Sequence, residues 1–90
     1  MKKTIRDPFT YYFPELDLHG EYTTTITYLI YDFINDNFKL RKKQIKIVHG
    51  KGSGALKKKT HELLKSHPKV ISFYIDPYNE GCTIVELNVD

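Results

Sequence analysis

Cysteine is almost missing from this chain: Cys82 stands alone in 90 residues, so no intrachain disulfide can form. There is no Cys/His grouping at zinc-ligand spacing and no secretory leader pattern, and the expected compartment is a reducing cytoplasm. No apolar run approaches the roughly 18 residues needed to cross a membrane, so a soluble protein is expected. Nucleotide-loop spacings are lacking too. Neither the three-glycine dinucleotide pattern nor a phosphate loop ending in Gly-Lys-Ser/Thr occurs, and no bound nucleotide cofactor is expected. The length permits one domain without internal repeats, with a core that is small but sufficient without staples.

What is present is charge, unevenly spread. Between Lys39 and Lys69 there are eleven basic residues against one acid, Glu62, while the remainder carries three basic and ten acidic residues. Such polarity offers one side to a polyanion. A solvated lysine-rich surface is the plain alternative.

The chain is organised around Ile45 to Lys59, Ile-Lys-Ile-Val-His-Gly-Lys-Gly-Ser-Gly-Ala-Leu-Lys-Lys-Lys. Ile45, Ile47 and Val48 read as a strand, and Gly50, Gly52 and Gly54 form a loop that opens a helix. Loop amides, His49, Lys51 and a helix N-terminus make a natural anion site, with phosphate the commonest ligand. Lys57, Lys58 and Lys59 sit near the positive end of the helix dipole, unfavourable for cations unless an anion or solvent screens them.

Residues 1–13 read as an arm and 14–90 as the domain. The arm has Lys2, Lys3 and Arg6, then Phe9, Tyr11, Tyr12 and Phe13, aromatics that could lie against the domain or stack on bases. Glu15 to Gly20 alternates Leu16 and Leu18 with Asp17 and His19, a strand in which Asp17 and His19 share a face about 7 Å apart. Ile26, Leu29, Ile30, Phe33, Ile34 and Phe38 recur at helical spacing, with Thr23, Thr24 or Thr25 as N-cap. The second helix is expected from Gly54 or Ala55 to Ser66, ending before Pro68. Its inner stripe is Leu56, Thr60, Leu63 and Leu64, with His61 and His67 read as solvated. Val70–Asp76 is a third strand, residues 77–81 a hairpin connection and Cys82–Val89 a fourth strand.

The order βαβαββ predicts an α/β two-layer sandwich: a four-stranded mixed sheet, three strands parallel and the last antiparallel, with two helices mostly on one face. The carboxyl edge of such a sheet gathers His19, His49, Asp76, Cys82 and Thr83, together with two helix N-termini. Taken singly, Asp17 and His19 have structural readings, as a buried carboxylate bonding loop amides and a satisfied structural imidazole; their convergence with His49, Lys51 and the loop amides favours function.

Leu16-Asp17-Leu18-His19-Gly20, followed by His49-Gly50-Lys51-Gly52-Ser53-Gly54-Ala55-Leu56, resembles the Smr (small MutS-related) domain family. The likeness continues through His67-Pro68-Lys69-Val70-Ile71-Ser72-Phe73 and Gly81-Cys82-Thr83-Ile84-Val85-Glu86-Leu87, and the chain looks like the free-standing form. The resemblance implies a fold similar to the C-terminal domain of translation initiation factor three, and nucleic-acid binding with endonuclease activity, as RNase or DNA-nicking enzyme, in many members; others are ribosome-associated. Asp17 and His19 match the motif linked to cleavage. His49, Gly50, Lys51 and Gly52 match the one linked to substrate binding, with Gly54, Lys57 and Lys58 alongside and Thr83 and Asp76 supporting. Lys57 replaces an arginine common in the family, keeping charge but giving up bidentate phosphate contact.

Cleaving RNA requires a base, an acid and cations around the phosphorane, because the 2′-hydroxyl is the nucleophile. The expected route is therefore metal-free RNA cleavage with His19 as base or acid, Asp17 orienting it or fixing its tautomer, and His49 with Lys51 holding phosphate. No cofactor is required on this reading; Mg²⁺ would enter if DNA is cut, with Asp17, Glu21 and Asp76 the carboxylates near the edge. The alternatives are a non-catalytic nucleic-acid or ribosome-binding module using the same basic edge, and a protein-interaction domain working through Tyr28, Tyr31 and the arm.

Overall fold

The structure, a computed structural model, describes residues 12–89. The arm aromatics Phe9 and Tyr11, with Lys2, Lys3 and Arg6, lie outside the described residues. The elements follow in the order β1 Glu15–Asp17, α1 Ile26–Lys39, β2 Gln44–Val48, α2 Ala55–Ser66, β3 Val70–Asp76 and β4 Asn79–Leu87. They form one four-stranded mixed sheet with two helices.

Ile26, Ile30 and Ile34 of α1 recur every fourth residue, and all three are fully buried. They pack with Leu64 of α2 against Ile45 and Ile47 of β2 and Val85 and Leu87 of β4. Ile45 pairs with Val85 across the ladder, so these strand residues share one face, and both helices cover it. Each such aliphatic side chain contributes about 1.5–3 kcal/mol through burial. On the opposite face the register partners Lys46 and Ile84 are also buried, and Lys46 Nζ lies 3.9 Å from a Glu15 carboxylate oxygen.

The strand order is β1-β2-β4-β3. β1 and β2 are parallel, and β4 runs antiparallel to both β2 and β3, so β1, β2 and β3 share a direction as the crossovers require. Yet β3 lies beyond β4 rather than beside β2. The slot next to β2 goes to β4, which brings Cys82 and Thr83 against Val48 and Ile47.

Four local expectations are corrected. β1 ends at Asp17, because the chain turns at Gly20 (φ 83°) with Glu21 N–H donating to Leu18 O at 2.9 Å. Thr25 is the N-cap of α1, one of the three threonines expected there, but its side chain makes no capping bond: Oγ1 instead donates to Tyr22 O at 3.0 Å. The hairpin is a two-residue turn, Pro77-Tyr78, so β4 begins at Asn79 rather than Cys82. Finally, His67 is buried and His61 half-buried, not solvated.

Candidate functional site

Asp17 pairs with Val48, and Leu18 N–H donates to Val48 O at 2.7 Å. The turn carrying His19 and the loop beginning at His49 therefore leave the sheet side by side, about 4.8 Å apart as neighbouring strands. Leu18 is anchored in the core while His19 is exposed. Asp17 Oδ1 accepts the His19 backbone N–H at 2.9 Å. The carboxylate thus shapes the turn that presents His19, and its bond goes to the backbone rather than the imidazole.

The glycine loop is hung from β4. Gly81 O accepts N–H from both His49 and Gly50, each at 2.9 Å. Gly50 (φ 78°) and Gly54 (φ 86°) adopt the left-handed conformation that turns the chain into α2. Ala55 N–H donates to Ser53 Oγ at 3.3 Å, but the amides of Lys51, Gly52, Ser53 and Gly54 have no protein partner among the described residues. They sit at the positive end of a 12-residue helix whose first turn carries exposed Lys57 and Lys58. A cleft of about 320 Å³ opens there, with Glu21, Tyr22 and Thr23 on one side and His49 and Gly52 to Leu56 on the other. Its loop wall offers backbone amides to an anion, with Lys51 and Lys57 next to that wall in the chain and the Glu21 carboxylate on the opposite wall.

His49 faces inward. Its Nδ1 lies 3.1 Å from Gly50 O and its Nε2 2.8 Å from Thr83 Oγ1, so the ring braces its own loop from beneath. Thr83 Oγ1 also lies 2.8 Å from His61 Nε2, and the rings of His49 and His61 meet edge-on with centroids 5.9 Å apart. Burial holds His49 below the ordinary imidazole value of 6.5, with the Gly50 carbonyl opposing and Lys57 adding to the shift. His61 is lowered by burial first, then by His49, Lys57 and Lys65. The helical period contained a signal for His61: it precedes Leu64 by three residues and so borders the inner stripe. Nothing local in the sequence indicates its hydroxyl partner, which lies on another element.

His67 plays a structural part. It caps α2, its ring meets Tyr31 edge-on at 4.8 Å, and its Nδ1 accepts the Lys69 N–H at 3.1 Å. Asp76 is buried and Oδ1 accepts the Tyr78 N–H at 2.9 Å, closing the hairpin. With β4 and β2 intervening, Asp76 ends the strand three spacings from β1, or about 14 Å. Asp17, His19, His49, Gly50, Lys51, Gly52, Gly54 and Thr83 are thus drawn together at the β1, β2 and β4 ends, whereas Asp76 belongs to the far side. Among the described residues, no three His, Cys, Asp or Glu side chains form a group able to hold a metal ion, and no helix is long and apolar enough to cross a membrane.

Residues 16–88, nearly the whole described fold, match the model of the Smr domain. The chain belongs to the Smr domain family. This Smr domain is 42% identical over 72 residues to Endonuclease MutS2 of Helicobacter pylori, a match covering 80% of the chain and 9% of that protein. It is 39% identical over 87 residues to Endonuclease MutS2 of Halalkalibacterium halodurans, covering 93% of the chain and 11% of that protein. The chain thus spans about a tenth of the length of these relatives. Among solved structures, the Smr domain of Thermus thermophilus MutS2 superposes with a TM-score of 0.81 at 28% identity, over 83% of this chain and 98% of that one. YdaL, a stand-alone small MutS-related protein from Escherichia coli, shares the fold with a TM-score of 0.75 at 18% identity, over 81% and 63% of the two chains.

Proposed function

We propose that this Smr domain binds nucleic acid in the cytoplasm through the glycine loop and the head of α2, and that it is an endonuclease cutting RNA in preference to DNA. One observation carries the reading: four amides at the start of α2, unpartnered among the described residues, share a sheet edge with the exposed imidazole of His19. The name of the relatives, Endonuclease MutS2, supports it.

In this mechanism a backbone phosphate rests on the amides of Lys51 to Gly54, its charge balanced by Lys51, Lys57 and the helix dipole. His19 removes the proton from the ribose 2′-hydroxyl, whose oxygen attacks phosphorus. The P–O5′ bond breaks, the departing oxygen takes a proton from solvent, and a 2′,3′-cyclic phosphate remains. Asp17 holds the His19 backbone in place, while His49 and Thr83 hold the loop. DNA offers no 2′-hydroxyl, so this route is closed to it.

The test is incubation of the protein and its His19→Ala variant with end-labelled single-stranded RNA and DNA, each in EDTA and in Mg²⁺. RNA cleavage in EDTA that vanishes with His19→Ala is expected. Unchanged cleavage by a folded variant overturns the assignment. A second reading, a non-catalytic nucleic-acid or ribosome-binding module, is favoured by the Asp17 carboxylate being committed to a backbone amide rather than the His19 ring. Under it, both nucleic acids are retained in salt-sensitive complexes and neither is cut.

A further inference from the structure

The contacts around Thr83 specify every proton among three side chains. Gly50 O can only accept, so His49 Nδ1, 3.1 Å away, carries hydrogen and Nε2 of the neutral ring is a lone pair. Thr83 therefore donates its single hydroxyl proton to His49 Nε2 at 2.8 Å. The Thr83 oxygen then accepts from His61 Nε2–H at 2.8 Å. His49 lines the cleft beside the glycine loop, Thr83 is fully buried, and His61 is partly exposed on α2. The chain thus runs from the protein surface to the wall of the cleft.

We propose that His61, Thr83 and His49 form a proton relay holding one added proton, and that a phosphate group seated in the cleft draws this proton onto His49. Identification of the phosphate as that of a nucleic acid rests on the function proposed above. The transfer balances. Solvent delivers a proton to His61 Nδ1, His61 Nε2 gives its proton to Thr83 Oγ1, and Thr83 gives its original proton to His49 Nε2. His49 ends as imidazolium, still donating through Nδ1 to Gly50 O, and His61 ends neutral with hydrogen on Nδ1. Thr83 has reversed its direction, and all three hydrogen bonds survive.

A second proton does not fit. Two charged rings would both donate to the Thr83 oxygen, leaving the buried hydroxyl hydrogen without an acceptor and two cations with ring centroids 5.9 Å apart. Burial keeps the empty relay neutral, and Lys57 and Lys65 of α2 also oppose protonation. Lys51 lies two residues along the loop from His49. β3 contributes the Phe73 ring, 5.0 Å from that of His61, and β4 contributes Thr83 itself. Across the cleft stands Glu21, ahead of α1, while the Asp17 carboxylate of β1 is engaged by the His19 amide. An anion on the loop amides adds negative charge beside His49, reversing this balance and favouring the imidazolium. The relay makes His61 and Thr83 positioning residues for the phosphate site and ties its affinity to pH.

The experiment has two arms. The first, without ligand, follows the imidazole nitrogens by ¹⁵N NMR during acidification of the wild type, Thr83→Val and Thr83→Ser. Hydrogen on His49 Nδ1 and His61 Nε2 is expected near neutrality. Both rings should then shift together in one shared step, with coupling absent from Thr83→Val and kept in Thr83→Ser. Independent titration that Thr83→Val leaves unchanged overturns the relay. If Thr83→Val fails to fold, His61→Leu serves instead, and a His49 that titrates as readily without its partner overturns it. The second arm measures binding of a single-stranded oligoribonucleotide by calorimetry in buffers of different ionisation heat. Net proton uptake is expected, with binding tightening by up to about tenfold per pH unit on acidification, the limit for one linked proton. Binding without proton uptake overturns the coupling and leaves the proposed function standing. No binding at low salt overturns the proposed function and the coupling with it, and the titrations alone then decide the relay.

Discussion

Gly81 and Gly50 meet backbone to backbone. A Cβ on Gly81 would lie 3.1 Å from the Gly50 carbonyl carbon and 3.2 Å from its Cα, while Gly81 O holds the amides of His49 and Gly50 at 2.9 Å. Neither backbone has a flexible side-chain end to move aside. Gly81→Ala is therefore expected to displace the glycine loop against β4 by a few tenths of an ångström and weaken nucleic-acid binding by up to about tenfold, about 1.4 kcal/mol. Gly52, whose Cβ would meet nothing and whose φ is not positive, is the control: Gly52→Ala should fold and melt like the parent. Oligonucleotide affinity and thermal melting of the two variants check this. A parent-like affinity for Gly81→Ala would show that the close approach does not set the loop.

Loss of the His19 imidazole should separate chemistry from stability. The side chain is exposed, and Asp17 reaches only its backbone, so His19→Ala is expected to melt within a degree or two of the parent. Its cleavage rate should fall about 10²–10⁴-fold, the usual range for a missing general acid or base. Single-turnover rates on end-labelled RNA, with circular dichroism melts, make the comparison.

Lys57 and Lys58 are exposed on the first turn of α2. Neutralising both to Gln should weaken binding across sequences and lower the slope of log affinity against log salt by about one for each phosphate no longer neutralised. Affinities across about 50 to 200 mM salt, a range over which screening changes markedly, provide the slope. An unchanged slope would place the polyanion on another surface.

Thr60 Oγ1 is buried on α2 without a hydrogen-bond partner among the described residues. Replacing it with the isosteric Val removes an unsatisfied hydroxyl and keeps the volume. Thr60→Val should stabilise the fold by about 1 kcal/mol. Denaturant midpoints measure the gain, and a decrease would mean that the hydroxyl is bonded in solution.

Stability should fall in mild acid. Burial holds His49, His61 and His67 below 6.5, with Lys69 also acting on His67. The unfolded chain therefore binds protons that the fold excludes. The stabilisation these groups permit is complete above pH 6.5, is lost as pH drops through that value, and levels off below the folded-state values. A lower Tm at about pH 5.5 than at about pH 7.5 is expected, with a smaller drop for His67→Gln. An equal drop in parent and variant would remove His67 from the account.

The elements and the strand ends that meet at the candidate site were legible in the chain. Period-four isoleucines in α1, β-branched residues in β2 and glycines before α2 are local signals, and steric and hydrogen-bond rules act on them within a few residues. The order of elements also predicted that β1, β2 and β3 would share a direction, since each intervening helix carries the chain back to where the preceding strand began. Element boundaries were less legible. Asp17 ends β1 by bonding the His19 amide, and Asp76 tightens the hairpin by bonding that of Tyr78, side-chain choices that compete with the strand ladder.

What only the tertiary structure decided was which strand stands beside which, and every consequence of that order. With β4 inserted next to β2, Gly81 reaches the His49 loop and Thr83 reaches His49, while Asp76 is carried to the far side. The Thr83 hydroxyl then joins His49 to His61, residues 34 and 22 positions away from it in the chain. A sequence period reports which face a residue occupies. It carries no information about what another element brings to that face, because strand adjacency is settled by the burial of the whole sheet at once.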